Sequence, residues 1–341
     1  MRKHILIIAE AGVNHNGNIE MAKKLIDAAA DAGADYVKFQ TFKTEKLVSV
    51  DAKQAEYQQK NMGSSAEASQ FEMLKKLELS VNDHHELIAY CNSKNIKFLS
   101  TAFDLDSIDL LNELNIDLFK IPSGEITNLP YLEKIGRLNK QVIVSTGMCV
   151  MEEIEDAVNT LVAAGTQRGK ISVLHCTTDY PTTMNDVNLN AMLSIQQHLN
   201  VPVGYSDHTL GIEIPIAAVA MGAVIIEKHF TLDKSLPGPD HKASLEPSEL
   251  KAMVSAIRNL EMAFGSADKQ PTATEKKNML VGRKSIHLAK DLLKGHVLSE
   301  SDLIMKRPGD GISPMKLKTI VGKQLKRDLP AEHKLMIEDI N

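Results

Sequence analysis

Short apolar runs alternate with helical patterns along most of the chain. Eight runs rich in β-branched residues are typical of buried strands, and they cover residues 4–10, 35–41, 96–101, 117–123, 141–146, 171–177, 203–207 and 223–229. Between these runs, apolar residues recur at helical spacing, as at Ala22, Leu25, Ile26 and Ala29. Eight strands that alternate with helices over about 260 residues predict an α/β fold, a (β/α)8 TIM barrel.

A doubly wound open sheet shows the same alternation, so the loop after the first strand is informative. A dinucleotide-binding sheet carries GxGxxG there, whereas this chain has AEAGVNHNG at residues 9–17. The barrel is therefore the better prediction. One connection, from Phe42 to Leu79, is too long for a simple turn. We expect it to form part of an active-site wall or an oligomer contact.

The pattern changes near residue 265. A helix that begins at Pro247 and ends at Gly265 completes the barrel, so residues 1–265 are predicted to form the first domain. Residues 266–280 are polar and predict a linker. Residues 281–341 contain two segments, 291–303 and 328–340, that align without gaps. This repeat predicts a small, β-rich, pseudo-symmetric domain in which the matching His296 and His333 are structural.

Composition excludes several function classes. The chain has 39 Lys and Arg against 44 Asp and Glu, a formal net charge of -5 and no basic block, so no nucleic-acid partner is expected. The longest apolar stretch, residues 214–226, contains Pro215 and Gly222 and is too short to span a membrane. Three cysteines without CxxC spacing suit a reducing compartment, which predicts a cytoplasmic protein.

In a (β/α)8 barrel the chemistry lies at the carboxyl ends of the strands, and every predicted strand here ends in polar residues. Four hydroxyl and two ammonium groups lie at these ends: Thr101, Ser123, Ser145, Ser206, Lys38 and Lys120. Strand ends are generally polar, so a single hydroxyl is ambiguous. Together the six groups suit a phosphate or another oxyanion.

Two histidines end neighbouring strands. His208 follows the seventh strand in GYSDHT, and His229 ends the eighth in IEKHF. Because barrel strands lie about 4.8 Å apart, two imidazoles at matched heights can reach one divalent cation and leave positions open for oxygen ligands. Asp240 is close in sequence and could join this site, although an ordinary Pro-Gly turn also accounts for it.

The remaining candidates are weaker. His84 and His85 lie in a predicted first helical turn and are expected to face solvent. Cys176 lies beside His175, but adjacent residues of a strand point to opposite faces. We therefore expect Cys176 to be a buried thiol rather than a nucleophile activated by His175.

Taken in order, the motifs resemble those of the sialic acid synthase family. They are AEAGVNHNG, VKFQT, STAFD, KIPSGE, STGM, LHCTTDYP, GYSDHT, IEKHFT, PGPDH and KRPGDGISP, and they extend over essentially the whole chain. The resemblance implies a metal-dependent (β/α)8 barrel followed by a small antifreeze-protein-like (SAF) domain, in a domain-swapped homodimer. It also implies that His208 and His229 bind Mn²⁺, with Mg²⁺ or Co²⁺ as alternatives.

By the same resemblance, the reaction condenses phosphoenolpyruvate with the open-chain aldehyde of an N-acylated mannosamine and releases phosphate. With N-acetylmannosamine the product is N-acetylneuraminate, which is our first prediction. The alternative acceptor, 2,4-diacetamido-2,4,6-trideoxymannose, gives N,N'-diacetyllegionaminate. GEITNLP and SDHTLGIEIPIAAVAMGA resemble the legionaminate branch at least as much. Either product implies a role in cell-surface polysaccharide biosynthesis.

The resemblance also implies roles for single residues. The phosphoenolpyruvate positions are Lys38, Thr101, Lys120, Ser123, Ser145, Ser206 and Thr178, the last of which replaces an Asn of some members. The sugar and acid–base positions are Glu10, Gln40, Glu125, Tyr180 and Asp240, of which Glu10, Tyr180 and Asp240 are the predicted catalytic residues. Arg307 matches an arginine that reaches the N-acyl group across the swapped dimer, and a guanidinium can donate to a carbonyl.

Two other functions stay open at this point. One is a non-catalytic sugar-binding or assembly protein, against which the polar ring and the two histidines favour catalysis. The other is a barrel aldolase, which would form a Schiff base on Lys38 or Lys120.

Overall fold

Eight parallel strands close into a barrel in which each strand pairs with its neighbours in chain order. The computed structural model describes residues 4–49, 52 and 69–341. The barrel strands are β1 Leu6–Gly12, β2 Tyr36–Thr41, β3 Lys97–Ala102, β4 Leu118–Ile121, β5 Gln141–Ser145, β6 Ile171–Cys176, β7 Val203–Asp207 and β8 Ile225–His229. Every predicted strand overlaps one of these, and the predicted TIM barrel is confirmed.

Helices follow the strands and cover the outside of the barrel. They are α1 Ile19–Ala32, α2 Thr44–Leu47, α3 Gln70–Lys75, α4 Val81–Ser93, α5 Leu105–Glu113, α6 Leu129–Leu138, α7 Met151–Ala164, α8 Leu189–Leu199, α9 Glu213–Ala220 and α10 Pro247–Ala263. In α1 the predicted apolar face is buried, the Asn18 side chain accepts hydrogen bonds from the first turn, and Gly33 ends the helix at φ 82°. Helices α2 and α3 lie in the long connection after β2.

The register of the parallel strands brings polar residues to one level of the barrel. Glu10 of β1 is paired with Lys38 of β2 on one side and with His229 of β8 on the other. Thr101 is paired with Lys120 in the same way. Residues at one level of a barrel point into the same layer, so these side chains meet although they are distant in sequence.

His84 is buried, contrary to the prediction that it faces solvent. Its Nε2 lies 2.7 Å from the Thr41 hydroxyl, and its Nδ1 donates to the carbonyl of Ser80 over 2.8 Å. The face of α4 that carries His84 packs towards the strands, whereas the next residue, His85, is exposed as expected. A helix turns about 100° per residue, so adjacent residues of one turn can differ in burial.

A second unit, Gly265–Asn341, follows the first, Met1–Phe264. The segment predicted as a linker, residues 266–280, is helical in part, because α11 Ala273–Gly282 begins within it. Thr272 and Glu275 form a capping box that starts this helix although none of its residues is buried. The unit also contains the antiparallel strands β9 Ser285–Leu288 and β10 Leu303–Lys306 and the short helix α12 Leu317–Ile320.

The predicted repeat has a structural basis in reciprocal hydrogen bonds. The carboxylate of Asp291 accepts from the backbone N–H of Ala331, and that of Asp328 accepts from the N–H of Lys294, each over 2.7 Å. Asp291 and Asp328 occupy equivalent positions of the two copies, as do Lys294 and Ala331. The two copies are therefore linked by two equivalent hydrogen bonds, one in each direction.

The two repeat histidines have equivalent structural partners. The ring nitrogen Nε2 of His296 lies 2.9 Å from the carboxylate of Asp302, and that of His333 lies 2.9 Å from Asp339. Both carboxylates are buried, and Asp339 also accepts from the backbone N–H of Met336. Burial alone would raise the pKa of Asp339, but these hydrogen bonds hold it below its ordinary value.

We predict that Asp339→Asn lowers the free energy of unfolding of the C-terminal unit by about 1–3 kcal/mol at pH 7, because buried partners lose a charged acceptor. A carboxylate whose folded pKa is lowered stabilises the protein above its unfolded pKa of about 3.9, and this contribution is lost as the pH falls. The difference between the wild type and Asp339→Asn should therefore shrink at pH 3.

Thermal unfolding of the full chain at pH 7 and pH 3 measures this effect. Glu338→Gln, a substitution at the exposed neighbouring carboxylate, is the matched control and should leave stability nearly unchanged. An equal loss for Asp339→Asn at both pH values would contradict the prediction.

Candidate active site

A cavity of about 300 Å³ opens at the carboxyl ends of the barrel strands. It is lined by most of the predicted site residues: Glu10, Lys38, Gln40, Thr101, Lys120, Ser123, Ser145, Thr178, Tyr180, Ser206, His208, His229 and Asp240. These residues belong to all eight strands or to the loops that follow them. The barrel thus collects into one cavity side chains that span 230 positions of the sequence, from Glu10 to Asp240.

Glu227 lies at the floor of this cavity and was absent from the predicted site. Its carboxylate accepts hydrogen bonds from Lys38 over 2.6 Å, from Lys120 over 3.1 Å and from the Ser206 hydroxyl over 2.9 Å. The alternation of β8 could have revealed it, because Glu227 and His229 are two residues apart on a strand and therefore face the same side.

Two buried lysines lie around the carboxylate of Glu227 on the floor of the cavity. Lys38, Lys120 and Glu227 are each buried with about 3% exposure. Burial favours the neutral form of Glu227, but the ammonium groups of Lys120 and Lys38 outweigh it and keep the pKa below its ordinary value. Burial lowers the pKa of Lys120, whereas Glu10 and Glu227 outweigh burial at Lys38 and raise its pKa. Glu227 therefore shares its carboxylate between two ammonium groups, each of which has further N–H groups that can donate to an anionic ligand.

Glu10 is the second buried carboxyl group of the floor. Burial raises the pKa of Glu10 to about 8, although Lys38, with its Nζ 3.5 Å from the carboxyl group, opposes this shift. One of the Glu10 oxygens, Oε2, has no hydrogen-bond partner among the described residues. Burial therefore favours the protonated form of Glu10 more than is usual for a carboxyl group, and Glu10 directs a polar atom into the cavity.

The hydroxyl groups form the opposite side of the cavity. Those of Thr101 and Ser145 are buried and make no hydrogen bond within the described part of the chain. The Ser123 hydroxyl accepts from the backbone N–H of Gly147 over 2.9 Å and lies 3.3 Å from the thiol of Cys176. Buried hydroxyls without partners are rare in folded proteins, and here they indicate a site that binds a polar ligand.

The two histidines lie side by side, with ring centres 5.4 Å apart and Tyr180 packed against His208 at 4.0 Å. Burial lowers the pKa of His208 to about 4, and burial together with His208 and Lys38 lowers that of His229 well below its ordinary value. The Nδ1–H of His208 donates to the carbonyl of Thr177 over 2.6 Å, which leaves Nε2 as an acceptor. Nδ1 of His229 is buried and has no hydrogen-bond partner within the described residues.

These features meet the requirements of metal ligands. A ligating imidazole must be neutral, and a hydrogen bond from its other nitrogen to a carbonyl fixes its orientation. The carboxylate of Asp240 lies 3.8 Å from Nδ1 of His229. Within the described residues, no group of three or more His, Cys, Asp or Glu side chains converges as a ready-made metal site.

A fully buried ion pair joins the strands that carry the two histidines. The ammonium group of Lys228 donates to the carboxylate of Asp207 and to the carbonyl of Thr209, and both charged side chains have no exposed surface. Asp207 precedes His208, and Lys228 precedes His229. The pair therefore fixes the ends of β7 and β8 relative to each other from the side opposite the cavity.

We predict that Lys228→Met lowers the free energy of unfolding by about 3–5 kcal/mol, because it leaves the buried carboxylate of Asp207 without its counter-ion. The double variant Asp207→Asn/Lys228→Met should lose less, since no buried charge remains. Denaturant unfolding of the full chain measures both. Lys134→Met, which breaks an exposed pair with Asp109, is the control and should change stability by less than about 1 kcal/mol. A loss equal to that of the control would refute the prediction.

Two predicted site residues lie outside the set that lines the cavity. Glu125 follows β4, and its carboxylate accepts a hydrogen bond from Asn128, the residue that caps α6, over 2.6 Å. Arg307 belongs to the second unit, where it is exposed and its Nε donates to the carbonyl of Gly282 over 3.0 Å. The structure gives each of them a local partner, and their contacts with a sugar stay predictions.

Cys176 and His175 point to opposite faces of β6, as the alternation of a strand requires. Cys176 lines the cavity, whereas Nε2 of His175 lies 3.0 Å from the carbonyl of Val187 on the outer side. The thiol is buried and has no imidazole from His175 beside it. The expectation of a buried, unactivated Cys176 agrees with this geometry.

Fold and site together define a class of protein. An α/β barrel with buried lysines, carboxyl groups and neutral histidines at the carboxyl ends of its strands has the arrangement of a barrel enzyme that binds an anionic substrate. The chain belongs to the NeuB family, whose model matches residues 25–269, and a SAF domain model matches residues 283–340. The resemblance in the sequence motifs and the predicted SAF domain are thereby confirmed.

Individual relatives agree with this assignment. The N,N'-diacetyllegionaminic acid synthase of Campylobacter jejuni is 55% identical over 321 residues, 94% of this chain and 96% of that protein. The enzyme of the same name from Legionella pneumophila is 49% identical over 336 residues, 98% of this chain and 94% of that protein. The solved N-acetylneuraminic acid synthetase of Leptospira borgpetersenii, in complex with citrate, is 35% identical, with a TM-score of 0.69 over 81% of this chain and 90% of that one.

The relatives are synthases, which supports the prediction of an enzyme. No helix in the described part of the chain has both the length and the apolar character needed to cross a membrane.

Proposed function

We propose that this protein condenses phosphoenolpyruvate with 2,4-diacetamido-2,4,6-trideoxymannose and releases N,N'-diacetyllegionaminate and phosphate. The observation that carries the proposal is the identity of 55% and 49% with two N,N'-diacetyllegionaminic acid synthases over nearly the full length. The similar N-acetylneuraminic acid synthetase has 35% identity. The comparisons therefore favour the alternative acceptor over N-acetylmannosamine, our first prediction.

Phosphoenolpyruvate is assigned to the side of the cavity formed by β3 to β7. Lys120 supplies positive charge there, and the free hydroxyls of Thr101 and Ser145 supply hydrogen bonds. In the free protein Glu227 accepts from both lysines. A phosphate or carboxylate that enters would share the N–H groups of these lysines with Glu227.

The sugar is assigned to the side formed by β8, β1 and β2. The enol carbon of phosphoenolpyruvate bonds to the aldehyde carbon, whose oxygen becomes a hydroxyl and needs a proton. Glu10, whose protonated form is favoured by burial and which is aimed into the cavity, is the proposed donor. Water then adds to C2, and the bond between C2 and the phosphate oxygen breaks. Tyr180 and Asp240 line the same side and are the other acid–base candidates.

The imidazoles of His208 and His229 are the proposed ligands of a divalent cation, Mn²⁺ in the first place and Mg²⁺ or Co²⁺ as alternatives. Both rings are neutral, and Nδ1 of His229 lacks a partner among the described residues. When bound there, the cation would act as a Lewis acid on the aldehyde oxygen. Two protein ligands leave positions open for substrate oxygens and water, as a catalytic site requires.

We predict that His208→Ala and His229→Ala each weaken Mn²⁺ binding about 100-fold, because each removes one of two protein ligands. Titration calorimetry with the metal alone, after chelation and dialysis, measures the affinity without relying on turnover. His198→Ala removes an exposed imidazole that lies 3.0 Å from Glu155 and should leave the affinity unchanged. Full retention of Mn²⁺ affinity in both site variants would rule out this assignment.

The two other functions find less support. A Schiff-base aldolase needs a neutral, accessible lysine, and the raised pKa of Lys38 disfavours that role. Burial lowers the pKa of Lys120, but its ammonium group donates to the carboxylate of Glu227 over 3.1 Å, an ion pair that favours the charged form. A non-catalytic sugar-binding protein would not require buried lysines, unpartnered hydroxyls and neutral histidines in one cavity. The homodimer, the contact of Arg307 with the N-acyl group and the cytoplasmic location stay predictions.

The proposed function predicts phosphate release when the full chain is incubated with Mn²⁺, phosphoenolpyruvate and 2,4-diacetamido-2,4,6-trideoxymannose. We expect kcat/KM for this acceptor to exceed that for N-acetylmannosamine at least about 10-fold, because a site built for one substrate loses contacts with the other. A reaction without acceptor is the control for phosphoenolpyruvate hydrolysis. Turnover with N-acetylmannosamine alone would reverse the choice of acceptor.

A further inference from the structure

One wall of the cavity is apolar, in contrast to its charged floor. The residues that form it are Val13, Leu47, Val48, Met73, Leu74, Leu77 and Phe103. We call this set the apolar wall. Val13 follows β1 and Phe103 follows β3, while the other residues belong to α2 or α3 or follow one of these two helices closely. The long connection after β2 therefore contributes most of the wall, and Gln70 is the polar residue that the described part of this connection adds to the cavity lining.

The apolar wall is held by its own small core, separate from the core of the barrel. This core consists of four buried side chains: Val13, Phe42, Met73 and Leu77. Three partly buried side chains pack against it: Leu47, Leu74 and Phe103. Lys75 of α3 bonds to Glu45 of α2 over 2.7 Å. The wall is thus a packed surface that presents half-buried side chains, chiefly Leu47, Leu74 and Phe103, to the cavity.

The order of the strands places this wall beyond the sugar aldehyde. The aldehyde carbon must lie near Glu10 and the histidines of β7 and β8, and phosphoenolpyruvate takes the side of β3 to β7. In the closed barrel β1 is the neighbour of β8, and β2 and β3 follow β1 on the side away from β8. The remaining carbons of an open-chain sugar, which end at C6, are therefore directed towards the apolar wall.

We propose that the apolar wall receives the C6 methyl group of the acceptor and so selects 6-deoxy sugars. This inference rests on the proposed function and deepens it. Leucine and phenylalanine side chains offer a methyl group dispersion contacts, but they leave a C6 hydroxyl without a hydrogen-bond partner. An apolar pocket discriminates against an added hydroxyl by about 10- to 100-fold.

The test uses a pair of acceptors that differ at C6 alone. They are 2-acetamido-2,6-dideoxymannose, with a methyl group at C6, and N-acetylmannosamine, with a hydroxymethyl group; the diacetamido sugar is measured beside them. With Mn²⁺ and phosphoenolpyruvate, we expect wild-type kcat/KM to favour the 6-deoxy member of the pair about 10- to 100-fold. This measurement needs no variant.

Two variants then test the wall itself. Leu74→Asn and Leu47→Asn, on different helices, each place a hydrogen-bonding amide where the hydroxyl would lie. Each should reduce the preference for the 6-deoxy sugar about 10-fold and leave KM for phosphoenolpyruvate unchanged. Leu105→Asn is the matched control, since Leu105 is exposed, lies at the same end of the barrel and is outside the cavity lining.

The outcomes separate the inference from the proposed function. Two results would overturn the inference while the proposed reaction stands. One is an equal kcat/KM for the two acceptors of the pair in the wild type. The other is a decrease of kcat/KM in both variants that is the same for both acceptors. Absence of phosphate release with all three acceptors would overturn the proposed function and the inference with it. If the preference for the 6-deoxy acceptor falls in both variants and persists in Leu105→Asn, the result supports the proposal that the apolar wall receives the C6 methyl group.

Discussion

The site depends on a single buried carboxylate. Glu227 accepts hydrogen bonds from Lys38 and Lys120, and without it two buried ammonium groups would have only Glu10, 3.5 Å from Lys38, as a carboxyl partner on the floor. Like charges removed from water repel strongly, so the floor is tolerable only with this partner. Glu227 holds both lysines at one point of the cavity, which supports the proposed binding of an anionic substrate there.

Around this floor, different strands contribute different chemical groups. Hydroxyls that have no partner among the described residues lie on β3 and β5. Two histidines whose pKa values are lowered by burial lie at the ends of β7 and β8, and a carboxyl group whose pKa is raised by burial lies on β1. A buried ion pair behind the cavity, between Lys228 and Asp207, holds the two histidine-bearing strand ends together. The chemistry thus rests on rigid strand ends, whereas the long connection after β2 adds an apolar surface to the same cavity.

The sequence was nearly sufficient to predict the repeat of the second unit. Local alignment predicted two equivalent segments with structural histidines, and each histidine indeed faces a buried aspartate six residues later. The two residues of each pair are close in sequence, so their spacing is visible in the repeat itself. The helix that begins at Ala273 was missed because an exposed helix has no apolar face to reveal it. Its capping box, Thr272 and Glu275, was the available signal.

Hydrophobic periodicity, together with the absence of GxGxxG after the first strand, predicted the barrel and the order of its elements. Position at a strand end predicted most lining residues, because the carboxyl ends of the strands of a TIM barrel all open on one face. Only the tertiary structure decided which of these residues touch. The bond of Glu227 to two lysines, the burial of His84 and the exclusion of Glu125 from the cavity lining all depend on register and packing between elements. Periodicity reports whether a side chain faces inward, but it contains no information on which distant side chain it meets there.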